Sequence, residues 1–126
     1  DIFSEYAEIG SIILKEIVIK TIETILGDTK TLKTNLPAQG VVTLMKQETR
    51  DVLHILYAAP TKRGKNVEII EDLIPIYDTS FEIKTDRNVS SVRVVPENKS
   101  LDFECKDGIL KFSVDKFTCS TIVVIE

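Results

Sequence analysis

The chain opens on a stretch whose apolar residues follow a helical period, then changes to short runs that alternate residue by residue. From Ile2 to Leu26 there is no proline, Gly10 is the one weak point, and Gly27 supplies the left-handed residue on which helices commonly stop. One long helix is predicted. Its apolar positions trace two seams, Tyr6, Ile9, Ile13 and Ile17 on one and Leu14, Val18, Ile22 and Ile25 on the other, so it is expected to have neighbours on two sides. A wide apolar stripe on a small domain marks a missing partner, from a parent chain or another subunit, in preference to a helix sunk in its own domain.

Residues 28–35 form a polar connector, and Leu36-Pro37-Ala38-Gln39-Gly40 punctuates the change to period-two patterning. Strand-like runs follow at 41–46, 52–58, 66–70, 73–77, 81–85, 91–95, 101–105, 109–114 and 121–125, with turn signals about every ten residues. Phe81 and Ile83 oppose Glu82 and Lys84, and Leu101, Phe103 and Cys105 oppose Asp102 and Glu104; these strands are expected to have one wet face. The Asp107-Gly108 pair predicts a tight hairpin over 101–114. Val52 to Tyr57 is apolar on both faces, as in a central strand covered on both sides, with the opening helix as the candidate cover. The pattern predicts a mainly β fold: an antiparallel two-layer β-sandwich preceded by one long N-terminal helix.

Composition narrows the function classes. At 126 residues and 43% apolar, one domain with one core is expected. A net charge of −4 argues against a nucleic-acid partner, because phosphate backbones are held by clustered lysine and arginine. No apolar run approaches the roughly 20 residues that span a bilayer, so no membrane partner is expected and the protein is read as soluble, with its compartment, cytoplasmic or periplasmic, left unknown. The start at Asp1, without methionine or leader, reads as a fragment of a longer product.

Little chemistry is available. His54 is the one histidine; in phase with Val52 and Leu56, it reads as a core or sheet-face residue before it reads as a general base. Zinc is disfavoured by one histidine and two cysteines with no paired spacing, so neither a metal nor a cofactor is expected. Cys105 and Cys119 read as buried small hydrophobes, with a disulfide or reactive thiol as the other possibility. Glu68, Glu71 and Asp72 read as a solvated connection before a glycosidase pair. The triplets at Asn88 and Asn98 match the glycosylation signal, a motif that chance supplies often. Phe81, Phe103 and Phe112 are in phase with core positions, which leaves Tyr57 and Tyr77 as platform residues for a sugar and Lys62 and Arg63, beside Gly64, as a basic loop for an acidic partner or phosphate. No catalytic residue is assigned.

The strings Leu36-Pro37-Ala38-Gln39-Gly40-Val41-Val42-Thr43-Leu44, Val52 to Pro60 with Lys62-Arg63-Gly64, Val67 to Asp78, and Thr121 to Glu126 resemble the C-terminal end of large bacterial glycoside hydrolases. That group comprises beta-galactosidase-like enzymes, including some alpha-L-fucosidases. The resemblance implies a catalytic (β/α)8 barrel, a trimerisation-type α/β domain and a terminal β-sandwich. Residues 1–27 would then be the last helix of the α/β domain, 28–35 a connector and 36–126 the sandwich. The implied role is a non-catalytic accessory domain whose partners are the upstream domains of the same chain or the subunits of a homo-oligomer. A stand-alone carbohydrate-binding module is the alternative. The family's catalytic carboxylates belong to the barrel, so none is assigned here.

Overall fold

A computed structural model describes residues 1–126. The chain divides into two units, Asp1–Thr31 and Leu32–Glu126.

The first unit contains α1 (Ile2–Ile9), α2 (Ile12–Leu26) and a 3-10 turn at Gly27–Thr29. Asp1 caps α1, its carboxylate accepting from the Phe3 N–H at 3.0 Å. The single predicted helix is in fact two. Gly10 takes a left-handed conformation at φ 62° and its N–H returns to the Tyr6 carbonyl at 2.8 Å. Without a Cβ this residue enters that region freely, which turns the weak point into a helix terminus. Tyr6 and Ile9 are thereby separated from Ile13 and Ile17, so the first of the two seams is interrupted. Neither helix has a buried residue, and Ile9, Ile13 and Ile25 are 65%, 69% and 78% exposed.

The second unit is the expected antiparallel β-sandwich, and its strands are β1 (Leu32–Thr34), β2 (Gly40–Lys46), β3 (Asp51–Tyr57), β4 (Thr61–Arg63), β5 (Val67–Ile69), β6 (Pro75–Lys84), β7 (Val92–Val95), β8 (Lys99–Ser100), β9 (Phe103–Lys106), β10 (Ile109–Thr118) and β11 (Ser120–Ile125). One sheet has the order β1-β6-β10-β9 and the other β2-β3-β11-β7-β8, while β4 and β5 form a separate ribbon. Alternation decides what goes inside. Phe81, Ile83, Leu110, Phe112 and Val114 of the first sheet meet Leu53, Ile55, Val92, Val123 and Ile125 of the second in one core. The Phe81 and Phe112 rings stack at 5.4 Å. Burying each such side chain contributes about 1.5–3 kcal/mol. The Asp107-Gly108 hairpin forms as expected, with both residues at positive φ and Lys106 opposite Ile109.

Several expectations are corrected. Residues 28–35 are not simply a connector, since Leu32–Thr34 pairs with Ile83–Phe81 as an edge strand. The runs at 73–77 and 81–85 join into the continuous β6, which pairs with β10 from Lys84 to Pro75. Phe103 and Cys105 lie opposite the buried Phe112 and Leu110, hence on the inner face, yet both are exposed. They belong to the edge strand β9, where the sheet's inner face is no longer covered. Cys119 is not on a strand: at φ 62° it is the single residue between β10 and β11, and both cysteines are free thiols. Because β10 and β11 lie in different sheets, the chain crosses the sandwich at Cys119, whose carbonyl accepts from the Tyr57 N–H at 2.7 Å. Within the sandwich itself β3 is covered on one side, and its outer face carries His54 and Leu56, both exposed.

Candidate functional site

The four residues singled out as contacts are not brought together. Tyr57 ends β3 in the five-stranded sheet, partly buried against the core. Tyr77 lies on β6 in the four-stranded sheet, 58% exposed, with the Lys116 ammonium 5.4 Å from its ring centroid. An aromatic platform of the two is therefore not assembled. Lys62 and Arg63 lie on the β4–β5 ribbon, and Arg63 is engaged by the Glu71 carboxylate through two hydrogen bonds of 2.9 and 2.6 Å. A bidentate pair of that kind satisfies the guanidinium fork and leaves it less free for a phosphate.

The outward turn of Tyr77 has a local cause. Thr79, Phe81 and Ile83 point inward, and strict alternation would send Tyr77 with them. Asp78 instead adopts φ 49°, after which Ile76 packs on the core and Tyr77 is exposed. The partner strand slips in the same place, from the buried Val114 to the buried Phe117. Asn35 anchors the slip, donating to the Asp78 carbonyl at 3.1 Å and accepting from the Ser80 N–H at 2.8 Å.

His54 stands on the outer face between Thr43 and Ile122 of the neighbouring strands. It faces no second imidazole and no cluster of metal-ligating side chains is present. One buried charge has no signal in the sequence. Asp51, almost fully enclosed at the start of β3, has the Arg87 Nε 3.1 Å from its Oδ1. Arg87 also donates to the Glu48 carbonyl at 2.9 Å and to that of Gln47, so it clamps the β2–β3 turn. Its role is structural.

A concavity of about 650 Å³ is lined by β6, β9 and β10 of the four-stranded sheet and by residues 99–102, which lead from β8 to β9. Ser80 and Glu82 flank the buried Phe81, and Lys111 and Ser113 flank the buried Phe112, so all four project outward. Register places Ser80 opposite Ser113, and Lys111 between Glu82 and Glu104. The Lys111–Glu82 pair at 3.1 Å and the Lys99–Asp115 pair at 2.6 Å lie on either side of Ser113 along β10. Nothing in the linear sequence marks this groove, because it is produced by the register of three strands. No helix is long and apolar enough to cross a membrane.

No protein-family model matches the chain, and no curated protein does. Among solved structures it is similar to alpha-L-fucosidase isoenzyme 2 from Paenibacillus thiaminolyticus, with a TM-score of 0.92 and 41% sequence identity. The match covers 99% of this chain and 19% of that one. The alpha-L-fucosidase side of the resemblance read from the sequence is thus borne out, for a segment that is a small share of the whole enzyme.

Proposed function

We propose that this chain is a non-catalytic accessory part of a multidomain glycoside hydrolase of the alpha-L-fucosidase kind. Its helices would be the last of a preceding α/β domain and its sandwich the terminal domain, the two packing on and stabilising the upstream domains or an oligomer. The observation that carries this reading is 41% identity sustained over 99% of the chain against only 19% of the fucosidase. A segment of that size leaves most of such an enzyme outside it.

Two physical features support the reading. Glycoside hydrolysis uses a pair of carboxyl groups about 5–10 Å apart, one held protonated and one free to attack or to activate water. Here Glu71, Glu82, Asp115 and Asp51 are each matched to a cation, by Arg63, Lys111, Lys99 and Arg87. The helical unit, meanwhile, presents isoleucines at high exposure, the surface signature of an interface.

The purified 126 residues are expected to show no turnover of aryl α-L-fucosides or aryl β-galactosides. Hydrolysis at a rate that survives repurification would overturn the proposal. In the longer parent protein, removing residues 36–126 is expected to lower the thermal midpoint or dissociate the oligomer. A truncated enzyme that keeps its stability and its assembly would count equally against the accessory role.

A further inference from the structure

We infer that the open edge of β2 is a pairing site for β2 of a second copy of this chain, joining two five-stranded sheets into one antiparallel sheet. This pairing goes beyond the accessory role, since every group in it belongs to the chain itself. Both sheets of the sandwich have open edges, and natural edges are usually kept from pairing by shortness or by charge. Three of the four edges follow that habit: β1 has three residues, β8 has two, and β9 alternates Glu104 and Lys106 with its other side chains. β2 does not. It runs for seven residues, Gly40–Lys46, without proline, and its one charge stands at the far end.

Two nearby hydrogen bonds fix which way the backbone groups of β2 point. The Gln47 N–H donates to the Arg50 carbonyl at 2.8 Å across the β2–β3 turn, and the Tyr57 N–H donates to the Cys119 carbonyl at 2.7 Å on the far side of β3. Bonded and non-bonded pairs alternate along an antiparallel ladder, so both bonds make Val41–Leu56, Thr43–His54 and Met45–Val52 the bonded pairs. The N–H and C=O of Val42 and Leu44 therefore point away from β3, along the edge where no strand lies. The Val42 and Leu44 side chains pack on the core, which leaves Val41, Thr43 and Met45 exposed on the outer face.

This edge is complementary to itself. When two copies lie antiparallel about Thr43, Val42 and Leu44 of one exchange backbone bonds with Leu44 and Val42 of the other. Val41 then meets Met45 on the outer face on both sides of the dyad, and Val42 meets Leu44 on the inner face. Lys46, drawn toward Asp86 at 3.8 Å, falls opposite Gly40, so no like charges face each other. Moving the centre by one residue in either direction sets Val41 or Met45 against Thr43 and loses the match. Seven residues a side bury less than the roughly 1,200–2,000 Å² of a standard interface, so the dimer is a reversible one, formed at tens to hundreds of micromolar chain.

Sedimentation velocity of the 126-residue chain over a concentration series is expected to show a monomer–dimer equilibrium in that range. Val42→Pro removes an N–H that β3 does not use and should weaken the dimer at least fivefold. Thr43→Lys, at an exposed position, sets two ammonium groups face to face at the dyad; it should weaken the dimer as much with the monomer's thermal midpoint unchanged, and it serves if the proline variant does not fold. Crosslinking reads the register. In a Cys105→Ser background, Thr43→Cys lies against its own copy at about 4.5 Å between Cα atoms, within the reach of a disulfide. Mild oxidation should link the two chains at that position, mapped by mass spectrometry, whereas Val41→Cys, opposite Met45, should not link. A chain that stays monomeric at millimolar concentration, a dimer that the β2 variants leave intact, as one held by the exposed isoleucines of the helices would be, or no preference for the crosslink at position 43 would each overturn the inference.

Discussion

A methyl group on Gly40 would collide with Leu36 Cδ2 and sit 3.0 Å from the Pro37 carbonyl, so the first residue of β2 has no room for a side chain. Gly40→Ala is expected to cost about 1–3 kcal/mol by overpacking. Equilibrium urea unfolding reads that cost, and Leu36→Ala in the same chain should recover part of it, because the two changes share one contact. At the β2–β3 turn, Arg87→Ala would strip the cation from an enclosed carboxylate and release two turn carbonyls. With Arg87 itself partly solvated, a loss of roughly 1–3 kcal/mol is expected by the same measurement. At this scale the sequence was readable where parity alone decides. Phe81 and Phe112 could be placed inside from alternation, whereas Phe103 and Cys105 share their face and remain exposed. Alternation states which way a side chain points; it carries no information on how far the opposing sheet extends.

Elements broke the expected pattern where a single backbone conformation intervened. Gly10 divided a helix, and Asp78 reversed the facing of β6 without ending it, which is why two predicted strands are one. Gly108 is the opposite case, a turn fully announced by its dipeptide. Its φ is 75°, and a Cβ added there would lie 3.4 Å from the Thr85 carbonyl, so Gly108→Val should destabilise the β9–β10 hairpin. A loss of about 1–3 kcal/mol is expected from backbone strain, seen as a lower urea midpoint. At the end of α2, Glu23 is held below the ordinary carboxylate range, chiefly by the hydrogen bond from Lys30 Nζ at 2.8 Å and the charge of that ammonium, with Lys20 adding to it. Because the folded value lies below the unfolded one, the stabilisation is complete above the unfolded pKa. It disappears as pH falls through the folded one. Acid is therefore expected to loosen this helix end. A carboxyl NMR titration should show the Glu23 midpoint rise toward the usual range in Lys30→Met.

Across the whole molecule, burial is distributed unevenly between the two units. Helices without a buried residue have little to resist opening, whereas the sandwich core encloses a dozen apolar side chains. Amide exchange is expected to be near the unfolded rate over residues 2–26 and slowest in β3, β6, β10 and β11; protection of the helices comparable to that of the core strands would contradict this. The sandwich architecture and the apolar surplus of the opening segment were legible because both follow from local period. The groove and the crossover between sheets were not, since each depends on which distant strands become neighbours. That crossover gives the protein a gauge of its own. The only residue linking the two layers at that corner carries a thiol, partly shielded in the folded chain, while Cys105 stands open to water. An alkylating reagent should consume Cys105 first and the partly shielded Cys119 more slowly, so the ratio of the two labelling rates reports how tightly that corner is closed with no probe added.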